Sequence, residues 1–572
     1  MPLLGHGVPI RAALLWDTGA PHELSYAIDN IATKILKTAR KLGIRTIAIY
    51  TEPDAASTHV SEADVVVLLP GSPAKAYIDG IAKEHKVDAI IPSYGFLSEN
   101  ADFARDVAAA GRAWVGPSPE SIEAFGFKHT ARELAQKAVV PVESGTQRLI
   151  ASEEDAVNES EKLGFPVMLK ATAGGGGIGL SIAHTAEEVK TSFATVKSGG
   201  ENLSKNSGMF IERFYPDNHH IEVQVLGNRV GNAIHFGKRE CSIQRRHQKA
   251  IEECPGPFVL SHLHLREGLC SAAVHLAESV KYDSAGTVEY LVDDKTGNFF
   301  FLDMNTQLQV EHGITELCYD VDLVQLMPRQ ADAQLAGKGG IGGKKLEALQ
   351  PKEPKGATIE ARVYAENLVR DYAPSPETLQ IVDWAETDGW RIDTWVHTGT
   401  IVSSYYDPLL AKFMVHRPSR DQSIKAMYET LSKTRICGPP TNLNLLVGII
   451  EDHQFATGVT MTNFLTDFRY SPIAIDVISG GAYTQVQDNP GRPTMGRGFP
   501  HSGPMDPLAF QIANLLVGNP RGIAGWSVRL MGPSFSSYAL QSFQYAELQW
   551  KQSSMASLCR CGQGSKSALD RN

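Results

Sequence analysis

Long apolar runs are absent from the 572-residue chain: none approaches the ~18 residues a membrane-crossing helix needs. The opening Met-Pro-Leu-Leu-Gly-His-Gly-Val-Pro has neither a basic segment nor a continuous apolar core, so no secretory signal is expected. Cysteine is scarce. Seven are too few for a disulfide framework, and Cys559-Arg-Cys561 has no second pair at zinc spacing. A reducing, cytoplasmic setting follows as the expectation. Positive charge is not in excess either: 54 Lys and Arg against 64 Asp and Glu leave a formal charge of −10. A mildly acidic chain is a poor grip for phosphate backbones, so neither nucleic acid nor membrane is expected as a partner. What is present is ordinary for a globular protein, 42% hydrophobic and 21% charged. At ~150 residues per domain, the length suggests three or four domains.

There is no internal repeat and no long low-complexity tract. Residues 31–140 alternate helix and strand: helix at Ile31–Leu42 and Ala74–Glu84, strand at Ile44–Tyr50, Asp64–Leu69 and Val87–Ile91. Short buried strands between helices indicate a parallel α/β layer. Residues 141–210 form a smaller unit around a glycine loop. Residues 211–465 carry longer alternating strands, the mark of a mixed or antiparallel α+β body. Within it, Gly337–Lys355 reads as an exposed connector. From Ile473 the texture turns to Gly/Pro-rich turns, and the last stretch is Ser/Gln-rich with weak periodicity.

Three constellations could carry chemistry. In the first, the β-run Phe165-Pro-Val-Met-Leu-Lys170 leads into a loop containing Gly174, Gly175, Gly176, Gly177 and Gly179. Glycines let backbone N–H groups close around phosphate oxygens, and a lysine supplies counter-charge. The loop fits neither the P-loop nor the dinucleotide pattern, and a flexible hairpin tip would look the same. In the second, Gly286-Thr-Val-Glu289 and Asn298–Asn305 flank an Asp294-Lys-Thr-Gly297 turn. The hairpin register puts Glu289 opposite Asp303, with Asn305 on the same face. Facing carboxylates repel unless a cation lies between them, and this donor set suits Mg²⁺ or Mn²⁺. A solvated hairpin face is the plainer reading. The alternation Asp303, Asn305, Gln307, Gln309, Glu311 extends that polar face, with Glu311 as a candidate general base. The third is Gln244-Arg-Arg-His247-Gln-Lys249, either an anion-neutralising segment or a surface patch.

Tyr94-Gly-Phe-Leu-Ser-Glu-Asn100, the Lys170 loop, His219-His220-Ile-Glu-Val-Gln-Val225, Gln244 to Lys249, and Met304-Asn305-Thr306 with Gln309-Val-Glu311-His312 occur in this order. The order resembles biotin carboxylase, an ATP-grasp enzyme, across residues 31–465. Gly480–Arg492 and Pro500-His-Ser-Gly-Pro504-Met-Asp506, with a helix around Ile512–Asn514, resemble the start of a carboxyltransferase domain like allophanate hydrolase subunit 2. The combination is similar to the urea carboxylase family.

The resemblance implies an atypical extension (1–30), a biotin carboxylase N-terminal α/β domain (31–140) and an ATP-grasp domain (141–335). An α+β C-terminal domain (336–465), a partial β-rich carboxyltransferase segment (473–534) and an irregular tail (535–572) complete it. It implies that ATP and Mg²⁺ or Mn²⁺ activate bicarbonate as carboxyphosphate and that CO₂ passes to biotin. Lys128, Lys170, Gly176, Gly177, Glu212, Arg213, Phe214, Tyr215, His220, Gln244 and His247 would surround ATP. Glu289, Asp303 and Asn305 would hold metal. Lys249, Gln307, Gln309 and the backbone of Val310 would hold bicarbonate. Glu311 would deprotonate it, and Arg362 would stabilise the biotin enolate. Such chemistry is mostly positioning and charge neutralisation.

The chain departs from the family in four places. Ala27-Ile-Asp-Asn-Ile-Ala32 replaces the family's first-strand motif, so the first thirty residues look foreign. Asp303 and Gln307 stand where the family has Glu and Arg. Pro328 falls inside the helical stretch Asp320–Ala336, where an interior proline costs ~3 kcal/mol. Glutamine keeps hydrogen bonding but loses charge, which is worth about 1–2 kcal/mol, or roughly 5- to 30-fold, per anion contact. Weakened activity is therefore expected. None of the 12 methionines precedes a lysine, the family's biotin-bearing dipeptide. Biotin is thus expected on another domain or chain, with urea an acceptor only alongside a complete carboxyltransferase. Homo-oligomerisation stays open. The alternative is a truncated, non-catalytic remnant that retains nucleotide binding.

Overall fold

Ile47, Ala48 and Ile49 are wholly buried in the computed structural model, as a strand covered on both faces must be. Described are residues 12–15, 29–50, 52, 55–68, 85–95, 97–146, 148–171, 180–203, 208–245, 248–385, 389–404 and 407–468, with shorter pieces between 470 and 560. They fall into two units, Met1–Phe468 and Arg469–Asn572. The expected helix Ala74–Glu84 lies outside the described residues.

The first unit begins with a five-stranded parallel sheet. Its strands are β1 (Ala12–Leu15), β2 (Arg45–Tyr50), β3 (Val65–Leu68), β4 (Ala89–Ile91) and β5 (Ala113–Trp114), in the order β3-β2-β1-β4-β5. β1 is the central strand, paired Ala12 to Arg45 on one side and Ala13 to Ala89 on the other. Residues 12–15, inside the stretch read as an extension, therefore complete the sheet. The helix Asp29–Leu42 buries Ile31, Ala32, Ile35, Leu36 and Ala39, one stripe at helical spacing.

Next come β6 (Val167–Ala171), β7 (Leu180–Ala183) and β8 (Met209–Arg213), an antiparallel trio ordered β7-β6-β8. The largest sheet is antiparallel and eight-stranded. It comprises β9 (Asn218–Asn228), β10 (Ala233–Arg245), β11 (Gln248–Cys254), β12 (Asp283–Asp293), β13 (Phe299–Asn305), β14 (Ala357–Tyr364), β15 (Trp390–Thr394) and β16 (Leu409–Arg417). The order is β13-β12-β9-β10-β11-β14-β16-β15, so residues from distant parts of the chain share one surface.

Two expectations change here. The polar alternation from Asp303 does not continue as a strand, because β13 ends at Asn305 and residues 306–311 turn into the helix His312–Tyr319. The helix Leu323–Leu335 runs unbroken through Pro328. Asp322 caps its start by accepting from the Gln325 N–H, and Leu323, Val324, Leu326, Met327 and Ala331 are buried in the core beside it. Each of the Leu, Val and Met side chains contributes ~1.5–3 kcal/mol, together enough to offset one lost helical bond. The segment 337–355 is mostly exposed, as expected of a connector, and is anchored at Ile341 and Leu346, both buried, where the Asn228 side chain donates to the Ile341 carbonyl at 2.9 Å.

In the second unit the helix Pro507–Leu516 forms around Ile512–Asn514. Short antiparallel pairs join Ile475–Ser479 to Ser534–Ser537 and Gln485–Gln487 to Gly525–Ser527. Gln544–Leu548 and Ala556–Arg560 also pair, within the tail read as irregular. Among the described residues, no helix is long and apolar enough to cross a membrane.

Gly227 on β9 lies opposite Ser284, and a Cβ there would run into the Tyr282 backbone carbonyl. Backbone cannot swing aside as a side chain can. Gly227→Ala should cost about 3 kcal/mol or more, read as a lower urea midpoint at unchanged slope.

Candidate functional site

β12 and β13 hold the carboxylate pair. Glu289 stands opposite Asp303 and Thr287 opposite Asn305. The next pair is Tyr290 with Phe301, so Leu302 has no partner and the ladder bulges beside Asp303. Bulges re-aim side chains, and they concentrate next to active sites. Burial alone would raise Glu289. Lys249 and His220 outweigh it and hold its carboxyl well below the usual range. Gln309 donates to Glu289 Oε1 at 2.9 Å, and Lys249 Nζ lies 3.3 Å from that oxygen. Asp303 is pushed the other way, by burial and by Glu289, against the pull of Lys128. A carboxyl raised for want of positive charge, opposite an ionised one, fits a hard divalent cation, with Asn305 adding an amide oxygen.

Lys249, at the start of β11, is the hub. Its Nζ lies 2.6 Å from Glu311 Oε1 and in contact with Glu222. Burial opposes its charge, but Glu222, Glu289 and Glu311 hold its pKa well above normal. Arg362 on β14 donates to the other Glu311 oxygen at 2.8 Å and contacts Glu252. Burial would raise Glu311, yet Lys249 and then Arg362 keep it low and ionised. Glu311 is therefore an acceptor clamped by two cations. An anion arriving at either cation would weaken the clamp and raise its basicity.

Behind this row sits Arg239, fully buried on β10. It donates to Glu222, to Gln224 Oε1 at 2.8 Å and to Gln309 Oε1 at 3.0 Å. With one end on Arg239 and the other on Glu289, the Gln309 carboxamide has a fixed direction. Lys412 Nζ reaches the Val310 carbonyl at 2.5 Å. Some distance along the chain, Lys170 and Arg132 both contact Glu212. Burial and Glu212 push Glu143 up to about 8. Tyr215 stacks on Phe300 with ring centroids 5.2 Å apart, and the Phe214 N–H donates to the Pro166 carbonyl.

Of the residues expected around a nucleotide, Lys170, Glu212 and Tyr215 gather near the three-stranded sheet, and Arg213 is exposed. Lys128 opens the helix Lys128–Lys137 and acts on Asp303. His220 lies 3.5 Å from Glu289, while Gln244 donates to the Cys241 carbonyl. Gly176, Gly177 and His247 lie outside the described residues. Gln307 turns its carboxamide toward the Tyr94–Asn100 segment, with Oε1 in contact with the Ser98 hydroxyl. Sequence reasoning passed over Glu222, although His220, Glu222 and Gln224 alternate with Ile221, Val223 and Val225 as strand neighbours do. Arg239, Arg132 and Glu143 leave no local pattern, because their partners are remote in sequence.

The fold and this site place the chain among the ATP-grasp ligases. Residues 27–122 match the biotin carboxylase N-terminal domain family, and 128–336 the carbamoyl-phosphate synthase L chain ATP-binding domain. Residues 360–467 match the biotin carboxylase C-terminal domain, and 497–543 the carboxyltransferase domain, subdomain A and B. The biotin carboxylase of Halalkalibacterium halodurans is 40% identical over 76% of this chain and 95% of its own. An Emericella nidulans protein named for urea carboxylase is 65% identical over 88% of this chain, which spans 41% of that protein's length. The Hydrogenobacter thermophilus 2-oxoglutarate carboxylase biotin carboxylase domain, solved with MgADP, ADP and bicarbonate, superposes with a TM-score of 0.74 at 32% identity. It covers 82% of this chain and 100% of its own. The Kluyveromyces lactis urea carboxylase gives 0.74 at 33% identity, over 97% of this chain and 42% of its own. This chain belongs to the biotin carboxylase family of biotin-dependent ligases.

Glu252 and Glu360 stand directly opposite each other on β11 and β14, both fully buried. Burial pushes Glu252 up to about 7 and Glu360 to about 8, despite Arg362 and Lys412 respectively. The folded state thus binds protons more tightly than the unfolded one. That stability is full below about pH 4.5 and is lost as pH rises toward 8. Unfolding midpoints between pH 5 and 9 should fall less steeply for Glu360→Gln than for wild type. The difference should reach ~1.4 kcal/mol per pH unit, leaving the variant the more stable protein at pH 8.5. Parallel curves would refute the assignment.

Proposed function

We propose that this chain performs the biotin-carboxylating half of a urea carboxylase, using ATP and bicarbonate to load CO₂ onto a biotin held by another domain or chain. The observation that carries the reading is Glu311, ionised between Lys249 and Arg362 beside the facing carboxylates Glu289 and Asp303. An acid–base group, two anion-binding cations and a metal-type donor set converge there. Urea as the ultimate acceptor is supported by the 65% likeness to the Emericella nidulans protein, against 39% to a human propionyl-CoA carboxylase alpha chain. The carboxyltransferase match at 497–543 adds to it.

In this proposal Lys128 and Lys170 hold and orient the nucleotide phosphates, with Glu212, which contacts Lys170, and Tyr215 beside them. Glu289, Asp303 and Asn305 hold Mg²⁺ or Mn²⁺, which neutralises phosphoryl charge when bound. Lys249, Gln309 and the Val310 backbone hold bicarbonate. Glu311 takes the bicarbonate proton as the anion draws Lys249 away from it, and Arg362 faces the developing charge on biotin. The arrangement is one of positioning and charge neutralisation, the main demands of phosphoryl transfer. Domain limits at about 140, 335 and 465 belong to the same proposal, with the eight-stranded sheet continuing across the second of them, as do a cytoplasmic location and a carrier acting in trans.

The test is ADP release with free biotin, with and without bicarbonate. Bicarbonate should stimulate turnover in the wild type. Glu311→Gln should lose ~100-fold or more of it while binding MgATP normally by calorimetry. A nucleotide-binding remnant would bind MgATP and show no bicarbonate stimulation. Full turnover in Glu311→Gln would remove the assigned base.

A further inference from the structure

The Tyr94–Asn100 segment leaves β4 through strained backbone. Ser93 is a buried non-glycine residue at φ +55°, and Gly95 follows at φ +133°. Left-handed backbone at a non-glycine position costs on the order of 1–3 kcal/mol and persists where surroundings over-determine it. Here the surroundings are residues of the carboxylate wall. The Gly95 N–H points at Gln307 Oε1, 3.4 Å away, and at Ser98 Oγ, 3.2 Å away. The Ser98 hydroxyl contacts Gln307 Oε1 and lies 2.6 Å from the Gly95 carbonyl. Gln307, Ser98 and Gly95 thus close one hydrogen-bonded ring, with the carboxamide oxygen of Gln307 as the acceptor. One residue earlier, the Thr306 N–H donates to Glu99 Oε1 at 3.2 Å, and the Thr306 hydroxyl reaches the same oxygen at 3.4 Å.

Two successive wall residues therefore grip two successive segment residues. Between this grip and the strained Ser93 lies Tyr94. Its side chain packs against the core cluster that contains Leu308, Val310 and Tyr364, chain neighbours of Glu311 and Arg362, and within their field burial and then Glu311 raise its pKa, while Arg362 and Lys249 pull it down. Asp303 and Asn305 end the strand that leads straight into Thr306 and Gln307. The segment and the metal-type donors share one support.

We propose that Gln307 is a positioning residue, whose carboxamide latches the Tyr94–Asn100 segment to the carboxylate wall and sets where Tyr94 stands relative to Glu311 and Arg362. Ser98 is its partner in the latch. Gln307 then serves the reaction through Tyr94, not as a direct ligand of bicarbonate. The catalytic consequence rests on the biotin carboxylation reading above; the latch itself does not.

Two readouts on the full chain separate these. The first is deuterium uptake by the peptide covering residues 94–100, which needs no activity. Gln307→Met and Ser98→Ala should each quicken exchange there, by about 3- to 10-fold for the loss of one hydrogen bond. The double variant should be no faster than either single one, and Ser98→Thr, which keeps the hydroxyl, should behave as wild type. The second is bicarbonate-dependent ADP release. Both single variants should lower kcat by a similar factor with little change in KM for ATP. If Gln307 is only an anion ligand, Gln307→Met raises KM for bicarbonate, Ser98→Ala does nothing, and exchange at 94–100 stays at the wild-type rate. That result overturns the latch. If wild type shows no bicarbonate stimulation, the functional reading fails, and the exchange experiment still decides the latch.

Discussion

Buried charge must be balanced, and the centre of this fold is organised by that demand. Arg239, Glu222, Lys412, Glu252 and Glu360 are wholly buried, and Lys249, Glu289, Glu311, Arg362 and His220 adjoin them with little exposure. Removing an ionised partner such as Glu222, which Arg239 and Lys249 contact, leaves an uncompensated charge in low dielectric, at a cost of about 3–5 kcal/mol. Every strand that contributes a member is therefore fixed relative to the others. β9 supplies His220 and Glu222, β10 Arg239, β11 Lys249 and Glu252, β12 Glu289, β14 Glu360 and Arg362, and β16 Lys412. The antiparallel order is what brings these sequence-distant residues onto one surface. The network in turn makes any other register expensive, because a one-residue slip would carry each charge to the opposite face.

Apolar packing does the complementary work behind the network. Val288, Tyr290 and Val292 on β12 and Ile221, Val223 and Val225 on β9 are fully buried, backed by Leu269, Ala273 and Leu276 from the helix Leu263–Ser279. The same two strands thus present an apolar face to a helix and a charged face to the site. The period of two that sorts them is the simplest consequence of strand geometry. The bulge at Leu302 breaks that period once, next to Asp303. A short aspartate and a bulge occur together on β13, and the pairing still sets Asp303 against Glu289.

Much of this was legible from local pattern. The Glu289–Asp303 register followed from the hairpin turn, and the parallel layer followed from short apolar strands between helices. The ordered motifs carried the family. The illegible parts share a physical cause: they depend on partners far away in sequence. Residues 12–15 lack the family motif, yet four apolar residues suffice to fill the central slot between β2 and β4. Pro328 violates helix propensity, and the helix survives because its face is buried. Gln307 continued the strand alternation on paper. Once β13 ended at Asn305, nothing in the local sequence announced that its partner would be Ser98, 209 positions earlier.

The charge balance also bears on the proposed chemistry. Lys249, Arg239, Arg362, Lys412 and a His220 held up to about 9 are faced by Glu222, Glu289, Glu311, Glu252 and Glu360, and Lys412 also by Asp393, which, against burial, Arg391 and Lys412 hold low. Burial keeps Glu360 protonated around neutral pH, and Asp393 then stands as the anion opposite Lys412. Buried ion pairs are often no better for stability than apolar substitutes, so stability alone does not account for so many of them. What the network provides is a poised group: Glu311, held low against burial between Lys249 and Arg362, would become a stronger base if an anion drew either cation away from it. On the reading proposed above that anion is bicarbonate, and binding and base activation would then share one electrostatic cause.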